Sequence, residues 1–166
     1  MGALRARCLE VSTCRSAARA GRESGGTSVD SASHLRILIV DDSVLYRKII
    51  ASALNDLPDA EVVGVAANGR LALLQIELLH PDLVTLDLEM PEMDGLQVLE
   101  RLSNMPNPPG AIMLSALTSH GAETTVQALH LGAFEFVLKP IGGDVAANVE
   151  KLKSSLLARV EAFRVS

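Results

Sequence analysis

Ile37-Leu38-Ile39-Val40-Asp41-Asp42 is a short apolar run that ends abruptly in two carboxylates, and this pattern is the first indication of the fold. Three later, largely apolar runs also end in a polar residue: residues 83–86 lead into Asp87, residues 111–114 into Ser115 and residues 134–138 into Lys139. Short apolar runs separated by helix-like segments are typical of buried parallel strands. The chain is therefore predicted to be an α/β protein.

The alternation of strands and helices predicts a flavodoxin-like, five-stranded parallel sheet in the order 2-1-3-4-5, with helices on both faces. The first helix is expected to follow Ser43, a good N-cap residue, and the last one to cover residues 144–163. In that strand order the first and third strands are neighbours, so Asp41, Asp42 and Asp87 should meet at the carboxyl edge of the sheet. The first helix should bury a set of residues at helical spacing, namely Leu45, Ile49, Ile50, Ala53 and Leu54.

Carboxylates that share one edge repel each other, and a bound cation relieves that repulsion. Ligation by oxygen alone favours Mg²⁺ over Zn²⁺, so a Mg²⁺ site at Asp41, Asp42 and Asp87 is expected. A carboxylate beside such an ion can attack a phosphoryl group and form an acyl phosphate. Lys139 and Ser115 would then hold the phosphoryl oxygens by charge and hydrogen bond. The residue types at the strand ends thus indicate phosphoryl chemistry.

Composition and charge disfavour several other classes of function. Residues 1–34 carry five Arg against three acidic residues and are expected to be a disordered tail or the product of an upstream translation start. Since the whole chain has a net charge of −5, the rest carries about −7, which disfavours a nucleic acid partner. No apolar run reaches the roughly 18 residues that span a membrane, so no membrane partner is expected. Both cysteines, Cys8 and Cys14, lie in the tail, which fits a cytoplasmic protein.

Four motifs together resemble the receiver domain of two-component response regulators: VDDS at residues 40–43, LDLEMPEMDG at 86–95, Ser115-Ala116 and Lys139-Pro140. The resemblance covers residues 35–163 and implies that Asp87 is the phosphoacceptor, with residues 164–166 as the stub of a linker. It implies that Mg²⁺ is bound by the side chains of Asp42 and Asp87, by the backbone carbonyl of Glu89 and, mostly through water, by Asp41.

The same resemblance gives a role to three residues at the ends of the later strands. It implies that Ser115 senses the phosphoryl group and that Lys139 pairs with it. Phe136 falls at the aromatic switch position, where many receivers have Tyr. Since Phe lacks the hydroxyl, a simple core role for Phe136 stays open.

A narrower resemblance is to the receiver of chemotaxis protein-glutamate methylesterases, carried by residues 62–69, 83–91 and 117–125. In that subfamily an esterase domain follows the receiver, and a chain that stops at Ser166 has no room for it. The expectation is therefore a receiver that is not an enzyme beyond its own phosphorylation and dephosphorylation. The resemblance implies a sensor histidine kinase as phosphodonor. It also implies an effector domain or target protein that binds helix 4, strand 5 and helix 5. A free-standing single-domain response regulator is the alternative.

Two other functions would use similar residues. A metal-dependent phosphatase with an aspartyl nucleophile usually carries a second acidic residue two positions after the nucleophile on the first strand, whereas Asp41 and Asp42 are adjacent. A pseudo-receiver, which binds partners without being phosphorylated, normally lacks one of the core site residues, and all of them are present in this sequence.

Overall fold

The computed structural model describes residues 34–116 and 121–166. The predicted tail, up to residue 33, lies outside them, as do residues 117–120 of the loop that carries part of the narrower resemblance. Strands and helices alternate strictly within the described ranges: β1 (Leu35–Val40), α1 (Val44–Asn55), β2 (Ala60–Ala66), α2 (Gly69–Leu79), β3 (Leu83–Asp87), α3 (Gly95–Ser103), β4 (Gly110–Ala116), α4 (Gly121–His130), β5 (Glu135–Lys139) and α5 (Val145–Arg164).

The five strands form one parallel sheet in the order β2-β1-β3-β4-β5, which confirms the predicted fold class and topology. Successive residues of a strand point to opposite faces. Leu38 and Val40 therefore pack with α2 and α3 on one face, and Ile37 and Ile39 with α1 and α5 on the other. β1 and β3 are neighbours, with Val40 opposite Leu86, so the residues that follow these two positions leave the sheet side by side.

Among the described residues, no helix combines the length and the hydropathy needed to cross a bilayer.

Capping residues in the sequence fix where the helices begin. The predicted N-cap, Ser43, accepts a hydrogen bond from the N–H of Tyr46 at 3.5 Å. At α3, Asp94 and Gln97 form a reciprocal capping box, in which each side chain accepts a hydrogen bond from the backbone N–H of the other. These bonds satisfy donors that the first turn of a helix leaves without an internal partner. They therefore define where α1 and α3 begin.

The predicted inner face of α1 is wrong at one position. Ile50, Ala53 and Leu54 are buried and Ile49 is half-buried, but Leu45 is 61% exposed. Leu45 lies in the first turn, where α5 does not close over it. It lines an open cavity of about 190 Å³ between α1 and α5, with Pro140 and Val149 among the other lining residues.

The last turn of α5 is fastened to the amino edge of the sheet. Phe163 packs edge-on against Phe134, just before β5, with ring centroids 5.2 Å apart. Its ring also occupies the space that a Cβ on Gly110, the first residue of β4, would need. Arg164 forms an ion pair with Asp59, just before β2, at 3.0 Å. The end of α5 is thus attached at the start of three strands.

Candidate functional site

A buried lysine joins two carboxylates at the carboxyl edge of the sheet. Lys139 Nζ lies 2.7 Å from Asp41 Oδ2 and 2.7 Å from Asp87 Oδ2, and at most 6% of each side chain is exposed. Asp42 is exposed, but one oxygen each from Asp41, Asp42 and Asp87 lie within 4.8 Å of one another. The structure therefore brings together four of the residues that the sequence predicted for the site.

Strand pairing and local hydrogen bonds hold these side chains in place. The Asp41 N–H donates to the carbonyl of Ala66 at 3.1 Å, and the Ser43 N–H donates to Asp41 Oδ1 at 2.8 Å. Asp87 and Lys139 are the last residues of β3 and β5, with β4 between them. That separation is two strand spacings, about 9–10 Å, so a side chain as long as lysine is needed to reach Asp87.

Burial dominates the electrostatics of Asp87. It raises the pKa of Asp87 to about 6, with a further rise from the negative charge of Asp41, while the hydrogen bond and charge of Lys139 and the backbone N–H of Glu89 act to lower it. For Lys139, burial acts to lower the pKa, but hydrogen bonds and charges from Asp41 and Asp87 outweigh burial and raise it. At neutral pH Lys139 therefore stays charged. The carboxyl group of Asp87, in contrast, takes up a proton at a pH not far below neutral.

The donor set fits a divalent cation of the Mg²⁺ type. When all three carboxylates take the charged form that binds metal ions, they and the one ammonium leave two negative charges without a counter-charge, which is the charge of one such ion. All the side-chain donors are carboxylate oxygens, the ligands that hard cations prefer. Asp42 is exposed, so it opens the cluster to solvent, and Mg²⁺ usually keeps several waters when it binds.

The β3–α3 loop approaches the backbone of Asp87 closely. The Leu88 N–H donates to the carbonyl of Leu114 at 2.8 Å, and the Gly95 N–H donates to the carbonyl of Leu88 at 2.9 Å. A Cβ on Gly95 would collide with the carbonyl oxygen of Asp87, so only glycine fits there. Glu92 has a φ of 68°, a left-handed conformation that glutamate rarely adopts. The loop is thereby held in one particular path beside the cluster.

The other predicted site residues lie outside the ion pairs of the cluster. Ser115 follows Leu114, the register partner of Asp87, and its half-buried hydroxyl donates to the carbonyl of Ala116 at 3.1 Å. Phe136 is half-buried and packs against the core on the α2–α3 side of the sheet. Glu89 has an exposed side chain, and its backbone N–H bonds to the Asp87 carboxylate. The roles assigned to these residues from the sequence stay predictions.

The family model described as the response regulator receiver domain matches residues 37–149. The chain belongs to the receiver domain family. This receiver is 52% identical over 132 residues to the protein-glutamate methylesterase/protein-glutamine glutaminase of Desulfotalea psychrophila, a match that covers 80% of this chain and 36% of that protein. The protein of the same name from Bacillus subtilis is 43% identical, with the same coverage. The chain thus spans about 36% of the length of these relatives.

Two solved structures show a similarity to this chain in three dimensions as well. The response regulator domain of CheB from Thermotoga maritima superposes with a TM-score of 0.69 at 34% identity, covering 77% of this chain and 94% of that chain. The CheX-CheY-BeF3-Mg²⁺ complex from Borrelia burgdorferi contains a chain that matches with a TM-score of 0.66 at 28% identity, covering 80% of this chain and 90% of that one. These likenesses confirm the receiver fold, while the resemblance to methylesterases is supported by the Desulfotalea psychrophila and Bacillus subtilis relatives.

Two residues of α1 that were not predicted from the sequence help to hold the receiver's site. Tyr46, the one tyrosine in the sequence, places its ring 4.5 Å from Lys139 Nζ, and its hydroxyl donates to the carbonyl of Pro140 at 3.5 Å. Arg47 Nη1 donates to the carbonyls of Asp41 and Asp42, at 2.6 and 3.1 Å. The spacing of Arg47 from the two aspartates was a usable signal, because one helical turn brings an arginine back over the loop that precedes the helix.

Replacing Tyr46 by Leu is expected to loosen Lys139. A cation over an aromatic ring in a desolvated site contributes about 1–2 kcal/mol, so the free energy of unfolding should fall by that amount. In the wild type the ring should also shift the Lys139 Hε NMR signals upfield, and the Leu variant should lack this shift. Tyr46→Phe keeps the ring and should retain both properties. Equal Hε shifts in the wild type and the Leu variant would contradict the contact.

Proposed function

We propose that this receiver accepts a phosphoryl group from a phosphohistidine of a sensor histidine kinase onto Asp87, in a reaction that requires Mg²⁺. One observation carries the proposal: Lys139 Nζ bridges Asp41 and Asp87 at 2.7 Å each, beside a third carboxylate from Asp42. A purely structural ion pair needs no third acid. The Borrelia burgdorferi neighbour comes from a complex that contains BeF3 and Mg²⁺, which supports the proposal.

In the proposed transfer, an oxygen of the Asp87 carboxylate attacks the phosphorus atom. A new O–P bond forms as the N–P bond to the donor imidazole breaks, and the bonding electrons stay on the imidazole nitrogen, which takes up a proton. Mg²⁺ held by Asp42, Asp87 and the Glu89 carbonyl, with Asp41 acting through water, would neutralise the negative charge of the incoming phosphoryl group. Lys139 would turn to the phosphoryl oxygens, and the Ser115 hydroxyl would donate to another of them.

Output from the phosphorylated state is proposed to leave through α4, β5 and α5. Three apolar side chains on α4 and β5 are about half exposed: Val126 (50%), Leu129 (47%) and Leu138 (51%). Such side chains suit contact with an effector domain or a target protein. Phe136 is a neighbour of Leu138 on the same strand, and it would couple this face to movement at Lys139.

The relatives favour a chemotactic setting. Since the receiver matches about 36% of the length of protein-glutamate methylesterases, we propose that it is the regulatory part of such a protein. A free-standing response regulator that acts by protein contact is the second candidate, and the exposed apolar residues of the α4–β5–α5 face serve it equally well. Its activity would be limited to its own phosphorylation and dephosphorylation.

Addition of Mg²⁺ and beryllofluoride should test the proposal directly. In backbone NMR of this chain, we expect shifts around Asp42, Asp87 and Lys139 that need both additives, because beryllofluoride mimics a phosphoryl group on an aspartate that is close to Mg²⁺. Asp42→Asn should weaken Mg²⁺ binding at least about tenfold by removing one ligand charge. Asp56→Asn, which changes an exposed carboxylate at the end of α1, is the matched control and should bind Mg²⁺ normally.

The outcomes separate the competing functions. No response to Mg²⁺ and beryllofluoride together would favour a pseudo-receiver. Steady release of phosphate from a small phosphoester, with no lasting modification of Asp87, would favour a phosphatase.

A further inference from the structure

A row of leucines is exposed along the outer face of α2. Leu71, Leu74 and Leu78 are 44, 63 and 77% exposed, and their spacing of three and four residues places them in one stripe. The opposite face of α2 is apolar as well, with Ala72 and Ile76 buried in the core. A helix that is apolar on both faces is typically covered on both. α2 packs beside β2 at one edge of the sheet, far from β5 at the other edge.

The charges beside this stripe are self-complementary. Arg70 and Glu77 lie two helical turns apart, so both flank the leucines on the same side. Neither takes part in an ion pair with the other residues of the ranges 34–116 and 121–166. If two copies of α2 run antiparallel about a twofold axis near Leu74, Arg70 of each copy lies beside Glu77 of the other. A parallel arrangement would place Arg70 beside Gln75 instead, and would leave both charges without a partner.

The edge strand next to α2 offers less to a second copy than the helix does. β2 is an edge strand, and edge strands can pair with another chain. However, Gln75 Nε2 donates to the carbonyl of Val65 on β2 at 2.9 Å, so an α2 side chain already covers one acceptor of that strand. The leucine stripe, by contrast, has no covering element among the described residues.

The structure therefore points to α2 as a self-association surface, on which a second copy of this chain packs antiparallel through Leu71, Leu74 and Leu78. The helix has 11 residues and is about 16 Å long, which is short for an interface that buries the usual ~800 Å² on each partner. The dimer should accordingly be weak and reversible. The surface is separate from the Asp87 cluster, so the dimer does not rest on the proposed phosphorylation.

Sedimentation equilibrium of the whole chain is the first test. We expect an average mass that rises from monomer towards dimer between roughly 10 μM and 1 mM, the range of weak association. Leu74→Glu places two like charges at the twofold axis and should weaken association at least about tenfold. Leu45→Glu, at a leucine of α1 that is 61% exposed and lies on neither proposed surface, is the matched control and should leave the mass unchanged. Asp87→Asn should dimerise like the wild type, which separates this inference from the proposed function.

A charge swap tests the antiparallel geometry. Arg70→Glu alone and Glu77→Arg alone should each weaken the dimer, because each places like charges side by side. The double variant should recover the wild-type association, and that recovery also shows that the altered helix is folded. A wild type that stays monomeric up to 1 mM, or association lost in Leu45→Glu and kept in Leu74→Glu, would overturn the proposal. Failure of the double variant to recover would overturn the antiparallel arrangement.

Discussion

Replacing Asp87 by Asn is expected to abolish phosphorylation by acetyl phosphate or by a phosphorylated sensor kinase. The amide carries no negative oxygen that can form the new O–P bond. The rate should fall roughly a thousandfold or more, which is the scale of losing a nucleophile. Mass spectrometry of the intact protein measures the added phosphoryl group. If the Asn variant accepted phosphate at the normal rate, the phosphoacceptor would be another residue.

The same substitution should stabilise the metal-free domain. Burial raises the pKa of Asp87 to about 6 in the folded protein, so the ionised carboxylate opposes folding at neutral pH. The neutral amide removes much of that cost and still accepts a hydrogen bond from Lys139. We expect urea unfolding without Mg²⁺ to show a gain of about 1–2 kcal/mol in the free energy of unfolding.

The pH dependence of this gain follows from the sign of the shift. Because folded Asp87 holds its proton more tightly than unfolded Asp87, the cost is fully present above a pH of about 6 and disappears as the pH falls towards about 4. The advantage of the Asn variant should therefore shrink on acidification. Asp56→Asn should show little difference from the wild type at either pH. If the Asp87→Asn variant were no more stable than the wild type at neutral pH, the charge of Lys139 would fully offset the cost of burying the ionised Asp87 carboxylate.

Replacing Lys139 by Ala is expected to separate phosphorylation from output. Asp87 keeps its nucleophilic oxygen, so modification by acetyl phosphate should continue. The acyl phosphate, however, would lack the ammonium that is proposed to pair with it. Beryllofluoride should then shift the NMR signals of Val126 and Leu129 in the wild type and leave them in place in the variant. Loss of phosphorylation itself would show that Lys139 acts in the chemical step.

The Lys139 substitution should also destabilise the fold strongly. It leaves Asp41 and Asp87 buried without their cation, and removal of one partner from a buried ion pair costs about 3–5 kcal/mol. Saturating Mg²⁺ should restore part of the loss by neutralising the same carboxylates. Lys151→Ala removes an exposed lysine of α5 and should change the unfolding free energy by no more than about 0.5 kcal/mol. A similar loss of unfolding free energy in both variants would show that the buried ion pairs of Lys139 do not stabilise the fold.

The sheet was predictable because each strand is a buried apolar run that ends in a distinctive polar residue. Parallel order then brought Asp41, Asp42, Asp87 and Lys139 to one edge without any knowledge of side-chain conformation. The sequence does not reveal the distance that the Lys139 side chain spans to reach Asp87. It also does not reveal that Asp41 is the second partner of Lys139. Those depend on how the strand ends are staggered in the folded sheet.

The residues that were not predicted correctly from the sequence are those whose surroundings depend on another helix or strand. Tyr46 reads as an ordinary helix residue until β5 places Lys139 under its ring. Leu45 has the spacing of a core residue, but no element covers the first turn of α1 at that point. The leucines of α2 show the same limit, since helical periodicity marks an apolar stripe and does not say whether this chain or another copy covers it.

The attachment of α5 bears on what any segment joined after Ser166 would do in a longer protein. α5 has 20 residues and is about 30 Å long, and its last turn is held by Phe163 and Arg164 at the edge of the sheet opposite Asp87. Such a segment would start far from Lys139 and would work as a tether, setting the effective concentration of whatever it carries near the receiver. Phosphorylation would then change the affinity of the receiver for the tethered partner, while the effective concentration set by the tether would stay the same.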